Sequence, residues 1–203
     1  MTDPLLKYRE QHKHRLNYMP WLYWSLKPKH REWAEQWQAE YQAYLLEMET
    51  VEIGENCFIS PLAHIFAERG RKISIGDNTF IAADCTLHGP LQIGNEVAIN
   101  HHCILDGGRA GIKLHDQVRI AAYSHLYAFD HGMDLERPIY QQAVTSKGIE
   151  IGRDVWLGAH VGIKDGVKIG DHAVIGMNSM VTKDIDKHAI VAGNPARLIR
   201  YRK

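Results

Sequence analysis

The chain has 203 residues, 45% of them hydrophobic, and its 24 lysines and arginines balance its 24 aspartates and glutamates. This composition is typical of a soluble globular protein with one main domain, and the zero formal net charge gives no reason to expect nucleic-acid binding. Neither a signal peptide nor an 18-residue apolar run is present, so the expected location is cytoplasmic.

Residues 1–52 are predicted to form an N-terminal helical segment in which opposite charges are separated. Residues 1–31 contain seven basic and two acidic residues, whereas residues 32–52 contain six glutamates and no base. A helix is predicted from Pro28 to about Met48, because large side chains recur there at spacings of three and four. These side chains are Trp33, Trp37, Tyr41, Tyr44 and Met48, with Glu32 and Glu35 near the helix N-terminus, where the dipole favours them.

Two interpretations of this segment are open. Its aromatic stripe is predicted to cap the open end of the domain that follows or to pack between subunits, because such stripes belong more often to a core. The alternative is that the basic, aromatic stretch around Pro20–Trp24 contacts a membrane surface or a lipid-linked substrate.

An aliphatic residue returns every six positions through most of the remaining chain. A period of six differs from the 3.6 of an α-helix and indicates short strands separated by turns. The members of this register are Ile53, Ile59, Ile65, Ile75, Ile81, Leu87, Ile93, Ile99, Leu105, Leu114, Ile120, Leu126, Ile151, Leu157, Ile163, Ile169, Ile175 and Val181. Three strands a turn would close a triangular coil, and six such coils can be counted.

The residue two positions before each of these aliphatics is mostly small or β-branched, so both side chains are predicted to face inward along one strand. The three cysteines, Cys57, Cys85 and Cys103, all occupy this inward position. We interpret them as small core residues and not as metal ligands or redox groups. Glycine, asparagine and aspartate fill the predicted turns, for example at Gly54, Asn56 and Asp154.

Extra residues interrupt the repeat after Ile65, after Leu105 and most heavily after Leu126. The last insertion, about residues 130–149, is predicted to be an external loop, where function is often found. The predicted organisation is therefore a helical segment at 1–52, a β-solenoid at 53–190 and a C-terminal tail at 191–203.

Several motifs along this repeat resemble one family. They are Asp130-His131, Arg137-Pro138-Ile139, Ile149–His160, Gly166–Asp171, Val181–Ile185 and Ala192–Arg197. Together they resemble the hexapeptide-repeat acyltransferases, in particular the galactoside, maltose and polysaccharide O-acetyltransferases, over roughly residues 53–200. The resemblance implies a left-handed parallel β-helix and a homotrimer that transfers acetyl from acetyl-CoA at sites between subunits.

In that family, the histidine that corresponds to His131 is the catalytic base. A sugar hydroxyl is protonated at neutral pH, so its attack on a thioester needs a neutral imidazole to accept the proton. Asp130 or a backbone carbonyl would orient the ring. Direct transfer is expected, because no serine or cysteine stands in the motif as a nucleophile. The alternative interpretation of His131 is a solvated loop histidine.

The resemblance also implies the acetyl-CoA site. Ala159, Met177, Thr182 and Lys183 would line the pantetheine, and Arg197 with Arg200 would meet the phosphates. Arginine suits this task because its guanidinium donates two hydrogen bonds at once. Ala159 stands where the galactoside enzymes have a serine, so a backbone N–H of Gly158 or Ala159 would have to stabilise the oxyanion. Met177 stands where the family usually has alanine or glycine.

The acceptor is expected to be a sugar, such as a precursor of a surface polysaccharide. Asn100 and Asp106 correspond to residues that contact sugar hydroxyls in the maltose-type enzymes, although Asn100 could equally satisfy a turn of the coil. Trp156 follows the inward Val155, so it is predicted to point outward, either shaping the site or packing between subunits.

Three other functions are open. An antibiotic is the nearest alternative acceptor, since xenobiotic acetyltransferases of this fold share the base and the cofactor groove. Carbonic anhydrases with the same kind of β-helix bind zinc through three histidines between subunits. A zinc site would draw on His88, His101, His102 and His125, but the ligand run is incomplete and no metal is expected. A non-catalytic scaffold would not require His131.

Overall fold

The structure, a computed structural model, describes residues 4–203, in which helices precede a long series of strands. The helices are Pro4–Tyr18 (α1), a 3-10 helix at Pro20–Ser25, Pro28–Met48 (α2) and a later 3-10 helix at Ile139–Gln141. Among the described residues, no helix combines the length and the apolarity needed to cross a bilayer.

The strands follow in chain order, with a long interruption between the twelfth and the thirteenth. They are Val51–Ile53 (β1), Phe58–Ile59 (β2), His64–Phe66 (β3), Ile73–Ile75 (β4), Phe80–Ile81 (β5), Thr86–His88 (β6), Leu91–Ile93 (β7), Ala98–Ile99 (β8), Ile104–Asp106 (β9), Ile112–Leu114 (β10), Arg119–Ile120 (β11), His125–Tyr127 (β12), Ile149–Ile151 (β13), Trp156–Leu157 (β14), Gly162–Ile163 (β15), Lys168–Ile169 (β16), Val174–Ile175 (β17), Met180–Val181 (β18), Ala189–Ala192 (β19) and Arg197–Tyr201 (β20).

Strands β1 to β18 wind into six triangular coils, as the six-residue period predicts. Each strand pairs with the strand three positions later in the chain, so three parallel sheets form. They contain β1-β4-β7-β10-β13-β16, β2-β5-β8-β11-β14-β17 and β3-β6-β9-β12-β15-β18. We call them the first, second and third sheets. The predicted left-handed parallel β-helix is confirmed. After β18 the chain returns to the second sheet as β19, and β20 pairs with it antiparallel.

The core is a single column of side chains inside the prism. Every aliphatic of the six-residue register is buried except Ile53, which is partly buried in the first coil. The three cysteines lie in this column, at most 3% exposed and unpaired, which confirms their interpretation as core residues. Each hexad contributes its large aliphatic and the smaller residue before it, so burial follows directly from the sequence period.

The turns use asparagine, aspartate and glycine for different reasons. Asn56 and Asp154 have φ of 53° and 52°, a left-handed conformation that short polar side chains tolerate. The turn glycines have another role, because a Cβ at Gly76 would lie 2.6 Å from Asn95 Oδ1. Asn95 Oδ1 accepts a hydrogen bond from the backbone N–H of Asp77 at 2.8 Å. Glycine thus leaves space for a ladder of side chains that joins successive coils.

Helix α2 covers the open edge of the first coil, where β2 has no preceding strand. The Gln38 side chain replaces that strand: its Nε2 donates to Ile59 O at 3.1 Å, and its Oε1 accepts from Ile59 N at 2.8 Å. Gln42 Nε2 donates to Cys57 O at 3.0 Å. The predicted cap at the end of the solenoid is therefore present.

The prediction of which face of α2 is buried is partly wrong. Trp33, Trp37 and Tyr41 are partly buried, but Tyr44 and Met48 are 55% and 61% exposed. The buried positions are Ala34, Gln38 and Leu45, because the helix is rotated so that Gln38 faces the backbone of β2. The first turn of α2 also contains no acidic residue, since Glu32 and Glu35 lie beyond it.

A second, smaller core joins the N-terminal segment to the outer face of the second sheet. Phe58, Phe80 and Ala98 lie on successive strands of that sheet and are buried beneath Leu16 and Tyr23. Packing is therefore the observed role of much of the Pro20–Trp24 stretch, although Trp21 remains 49% exposed.

Replacing Gln38 with alanine is expected to lower the free energy of unfolding by about 1 to 3 kcal/mol, because Ile59 N–H and C=O would lose their partners in a buried environment. Denaturant titration measures the change. Gln36→Ala is the matched control, since the exposed Gln36 side chain bonds only Glu40 among residues 4–203. Equal stability of the two variants would contradict the capping role.

Candidate active site

A long loop, residues 128–148, leaves the solenoid between β12 and β13. At its base, Asp130 and Thr145 exchange two backbone hydrogen bonds of 2.9 Å. The buried carboxylate of Asp165 accepts the backbone N–H groups of Lys147 and Gly148 at 2.9 to 3.0 Å, which fixes the end of the loop. The loop is therefore anchored on both sides of its base.

The Ser146 hydroxyl ties this loop to the insertion that follows β9. Its Oγ accepts hydrogen bonds from the backbone N–H groups of Arg109 and Ala110 at 3.0 and 2.9 Å, and it donates to Ala128 O. Two of the three insertions predicted from the sequence, those after Leu105 and Leu126, thus meet at one place on the outside of the prism.

The outer part of the loop is organised by Gln142. Its amide bonds both backbone groups of Asp134, and its Nε2 also donates to Arg137 O at 2.7 Å. Beyond these bonds, Met133 and Leu135 are 75% and 103% exposed. The loop therefore has an ordered interior and an exposed apolar tip.

His131 lies one residue beyond the loop base and is exposed. Its ring meets Phe129 edge to face, with 6.2 Å between centroids, and neither ring nitrogen has a hydrogen-bond partner within residues 4–203. Asp130 does not orient this ring, because its carboxylate pairs with Lys164 Nζ at 3.2 Å and its backbone pairs with Thr145. Both imidazole nitrogens thus remain available to a substrate.

A cavity of about 530 Å³ lies between the loop base and the third sheet. We call it the acceptor cavity. Phe129, the aromatic neighbour of His131, forms part of its wall, and the predicted acceptor residue Asp106 forms another part. The remaining lining residues are Arg71, His88, Gly108, Arg109, Ala143, Val144 and Ser146. The structure therefore brings Asp106 and the neighbourhood of His131 together.

Two side chains contact the Asp106 carboxylate in this cavity. His88 Nδ1 lies 3.3 Å from Asp106 Oδ2, and Arg71 Nη2 lies 3.6 Å from Asp106 Oδ1. Glu68 Oε1 completes the cluster at 3.2 Å from His88 Nε2 and 3.1 Å from Arg71 Nε. A hydrogen bond from its own backbone, together with His88 and Arg71, holds the pKa of Glu68 below its usual value.

The other two predicted acceptor residues lie elsewhere on the chain. Asn100 Nδ2 donates to Ile120 O at 2.9 Å, so this side chain satisfies a turn between coils. Trp156 points outward, as predicted, and is 55% exposed on the second sheet beside Arg119. Neither residue lines the acceptor cavity.

Two predicted cofactor residues share one corner of the prism. Ala159 and Met177 lie on successive coils, where Asn178 N donates to Ala159 O at 2.9 Å. Met177 is 63% exposed. The Gly158 N–H donates to Ile175 O at 2.8 Å, whereas the Ala159 N–H has no partner in the described chain. Of the two proposed oxyanion donors, only Ala159 is therefore free.

Three more predicted cofactor residues meet at the C-terminal end of the solenoid. Thr182, Lys183 and Arg197 line a cavity of about 340 Å³ between β18 and the β19–β20 hairpin, which we call the C-terminal cavity. Arg200 stands opposite Ile190 in that hairpin and does not line the cavity. None of these three basic side chains has a carboxylate partner among residues 4–203, so their charge is available to an anion such as a phosphate.

Sequence reasoning missed Phe129, Arg71 and Arg109 as site residues. Only their positions in the sequence could have indicated a role in the site. Arg71 and Arg109 belong to the insertions after Ile65 and Leu105, and Phe129 precedes the motif that contains His131. His88 was considered only as a zinc ligand. In the described part of the chain, no three His, Cys, Asp or Glu side chains converge as metal ligands would.

Replacing Asp165 with alanine is expected to reduce kcat/KM about tenfold to a hundredfold, because the loop that carries His131 would lose the anchor at its C-terminal end. Steady-state kinetics and amide hydrogen exchange at residues 147–149 measure the two effects. Asp171→Ala is the control, since Asp171 anchors a turn on another corner. Normal activity with faster exchange would contradict a positioning role for the anchor.

Comparison with known proteins agrees with this architecture. The family described as bacterial transferase hexapeptide (six repeats) matches residues 148–183. Galactoside O-acetyltransferase of Escherichia coli strain K12 is 31% identical over 165 residues, covering 80% of this chain and 70% of that protein. Chloramphenicol acetyltransferase of Klebsiella aerogenes is 33% identical over 112 residues, covering 53% of this chain and 52% of that protein.

A solved structure extends the likeness to the N-terminal helices. A hexapeptide-repeat acetyltransferase from Vibrio cholerae O1 biovar eltor, complexed with acetyl coenzyme A, has a TM-score of 0.59 and 26% identity. The match covers 96% of this chain and 85% of that one. The chain belongs to the hexapeptide-repeat acyltransferase family, and it is an acyltransferase.

Proposed function

We propose that this protein transfers acetyl from acetyl-CoA directly to a hydroxyl group of a sugar or surface-polysaccharide precursor, with His131 as general base. The observation that carries the proposal is the position of His131. Its imidazole has no partner in the described chain, it stands on an anchored loop, and its aromatic neighbour Phe129 forms a wall of the acceptor cavity.

In the proposed reaction, acetyl-CoA supplies the acetyl group as a reactive thioester. His131 accepts the proton of the acceptor hydroxyl while the new C–O bond forms and the C–S bond breaks, and it then returns the proton to the thiolate. The free N–H of Ala159 is the proposed donor to the oxyanion that develops on the carbonyl. No covalent acyl-enzyme is needed.

Two groups of residues would hold the two substrates. Asp106 would accept hydrogen bonds from sugar hydroxyls, since His88 and Arg71 contact its two carboxylate oxygens and orient them. Asn100 and Trp156 remain proposed acceptor residues. For acetyl-CoA, the basic side chains around the C-terminal cavity would bind the phosphates, and the corner next to Met177 would hold the pantetheine. The proposed residues are Ala159, Met177, Thr182, Lys183, Arg197 and Arg200.

A homotrimer is part of the proposal. Within one protomer, Asn100 and Trp156 lie outside the acceptor cavity, and the Ala159 corner is separate from it. Each complete site would therefore need walls from two subunits. A cytoplasmic location is also proposed, since the three cysteines are free and buried, as is usual in a reducing compartment.

An antibiotic acceptor is the second candidate. The relative from Klebsiella aerogenes is a chloramphenicol acetyltransferase. Phe129, Ala143 and Val144 give the acceptor cavity an apolar side that an aromatic drug could occupy.

Thiol release from acetyl-CoA across a panel of sugars, nucleotide sugars and antibiotics tests the proposal. We expect acceptor-dependent release with at least one sugar. Release with chloramphenicol alone would favour the second candidate. The absence of release with every acceptor, together with no acetyl-CoA binding, would contradict acetyl transfer.

A further inference from the structure

The N-terminal segment contains a third cavity, of about 370 Å³, between α1, the first 3-10 helix and the start of α2. We call it the helical cavity. It shares no lining residue with the acceptor cavity or with the C-terminal cavity. Its lining residues are His12, Arg15, Leu16, Leu22, Ser25, Leu26, Lys27, Lys29 and His30.

The charge of this lining is entirely positive. Arg15, Lys27 and Lys29 have no ion-pair partner within residues 4–203, and no carboxylate is among the lining side chains. Two carboxylates of the same helices are already engaged, since Glu10 pairs with Lys13 and Glu35 pairs with Arg31. Several basic groups converging without compensation favour an anion with more than one charge.

Two histidines add donors to the same wall. The rings of His12 and His30 lie 4.6 Å apart, and both residues are partly buried. Desolvation and the neighbouring His12, Lys29 and Lys27 lower the pKa of His30. Part of this shift is repulsion between a protonated His30 ring and the nearby basic groups. A bound anion would relieve that repulsion.

The rest of the lining is apolar. Leu16 is 1% exposed at the floor, and Leu22 and Leu26 are partly buried beside it. These leucines stand next to the basic groups, so the cavity offers adjoining charged and apolar surfaces. A volume of this size lies within the range of small-molecule sites.

We propose that the helical cavity binds a phosphate group carried on an apolar chain. Phosphate matches the cations because its oxygens accept several charge-assisted hydrogen bonds at once, and the leucines receive the adjoining hydrocarbon. The site lies on the segment that caps the solenoid, away from the loop that carries His131. It would allow the protein to hold a prenyl phosphate or a related phosphorylated amphiphile independently of acetyl transfer.

Calorimetric titration of the whole chain with geranyl phosphate, inorganic phosphate and geraniol tests the proposal. Geranyl phosphate is expected to bind with a Kd at least about tenfold below that of either fragment, since each fragment makes only part of the contacts. The double variant Arg15→Ala/Lys29→Ala is expected to raise this Kd at least about tenfold. Both side chains are exposed, so the variant should fold, which thermal unfolding checks.

The matched control is Lys113→Ala/Lys168→Ala, which removes two positive charges from the first sheet. Equal weakening by both double variants, or geraniol binding as tightly as geranyl phosphate, would overturn the proposal. Flotation with phosphatidylglycerol vesicles tests the other source of phosphate, the lipid headgroups of a membrane surface. Flotation without binding of dispersed geranyl phosphate would also overturn it, because a charged surface and not a cavity would be responsible.

Discussion

Replacing His131 with alanine is expected to lower kcat/KM by about a hundredfold to ten-thousandfold, the contribution that a positioned general base usually makes. The variant leaves the acceptor hydroxyl without a proton acceptor while the acceptor cavity and the loop anchors stay in place. The His131 ring makes no hydrogen bond in the described chain, so its loss should not alter stability. Steady-state kinetics with the best acceptor and thermal unfolding measure the two effects.

The control is His14→Ala. His14 is exposed on α1, where its ring contacts Tyr18, and it lines none of the three cavities discussed above. We expect unchanged kinetics in this variant. Activity retained in His131→Ala would assign the base to another residue, and an equal loss in both variants would point to a general effect of the substitutions.

The largest effect on stability is expected for Ile120→Ala. Ile120 is fully buried in the fourth coil and pairs with Ile99 and Leu157 on the adjacent coils. Removing most of its side chain opens a space that rigid neighbouring coils cannot close, so the free energy of unfolding should fall by about 2 to 5 kcal/mol.

Denaturant unfolding at equal protein concentration measures this loss. Leu46→Ala is the control, since Leu46 is 54% exposed on α2 and should change stability by less than about 0.5 kcal/mol. A loss in Ile120→Ala no larger than that of the control would contradict the single continuous core.

The solenoid could be predicted because the pattern that determines it lies within each six-residue repeat. Each hexad places one aliphatic and one small residue on the inner side of a strand, so the register from Ile53 to Val181 determines which side chains are buried. The insertions after Leu105 and Leu126 were visible as breaks in the same register, and they meet through Ser146 on the outside of the prism.

The orientation of α2 could not be predicted in the same way. Helical periodicity allows more than one face to be buried, and the aromatic spacing favoured the face that includes Tyr44 and Met48. The observed face is set by Gln38, a polar residue buried because it pairs with both backbone groups of Ile59. That partner is 21 residues away, and no local pattern indicates it.

The candidate site was predicted only in part for a related reason. His131 was identified from a motif, whereas the acceptor cavity is built by Arg71, Asp106 and Phe129 from three different coils. The expectation that Asp130 could orient His131 relied on adjacency in the chain. The structure pairs Asp130 with Lys164 instead, because Lys164 follows β15, the strand that pairs with β12, and the loop leaves the solenoid after β12.

Direct transfer with His131 as the base is tested by a single-turnover reaction with acetyl-CoA labelled in the acetyl group, using the best acceptor. We expect that label reaches an acceptor hydroxyl at the rate of thiol release, that the protein never carries it covalently, and that His131→Ala suppresses both processes together. Label found on the protein before the acceptor is added, or thiol release that leaves the acceptor unlabelled, would contradict direct transfer at this site.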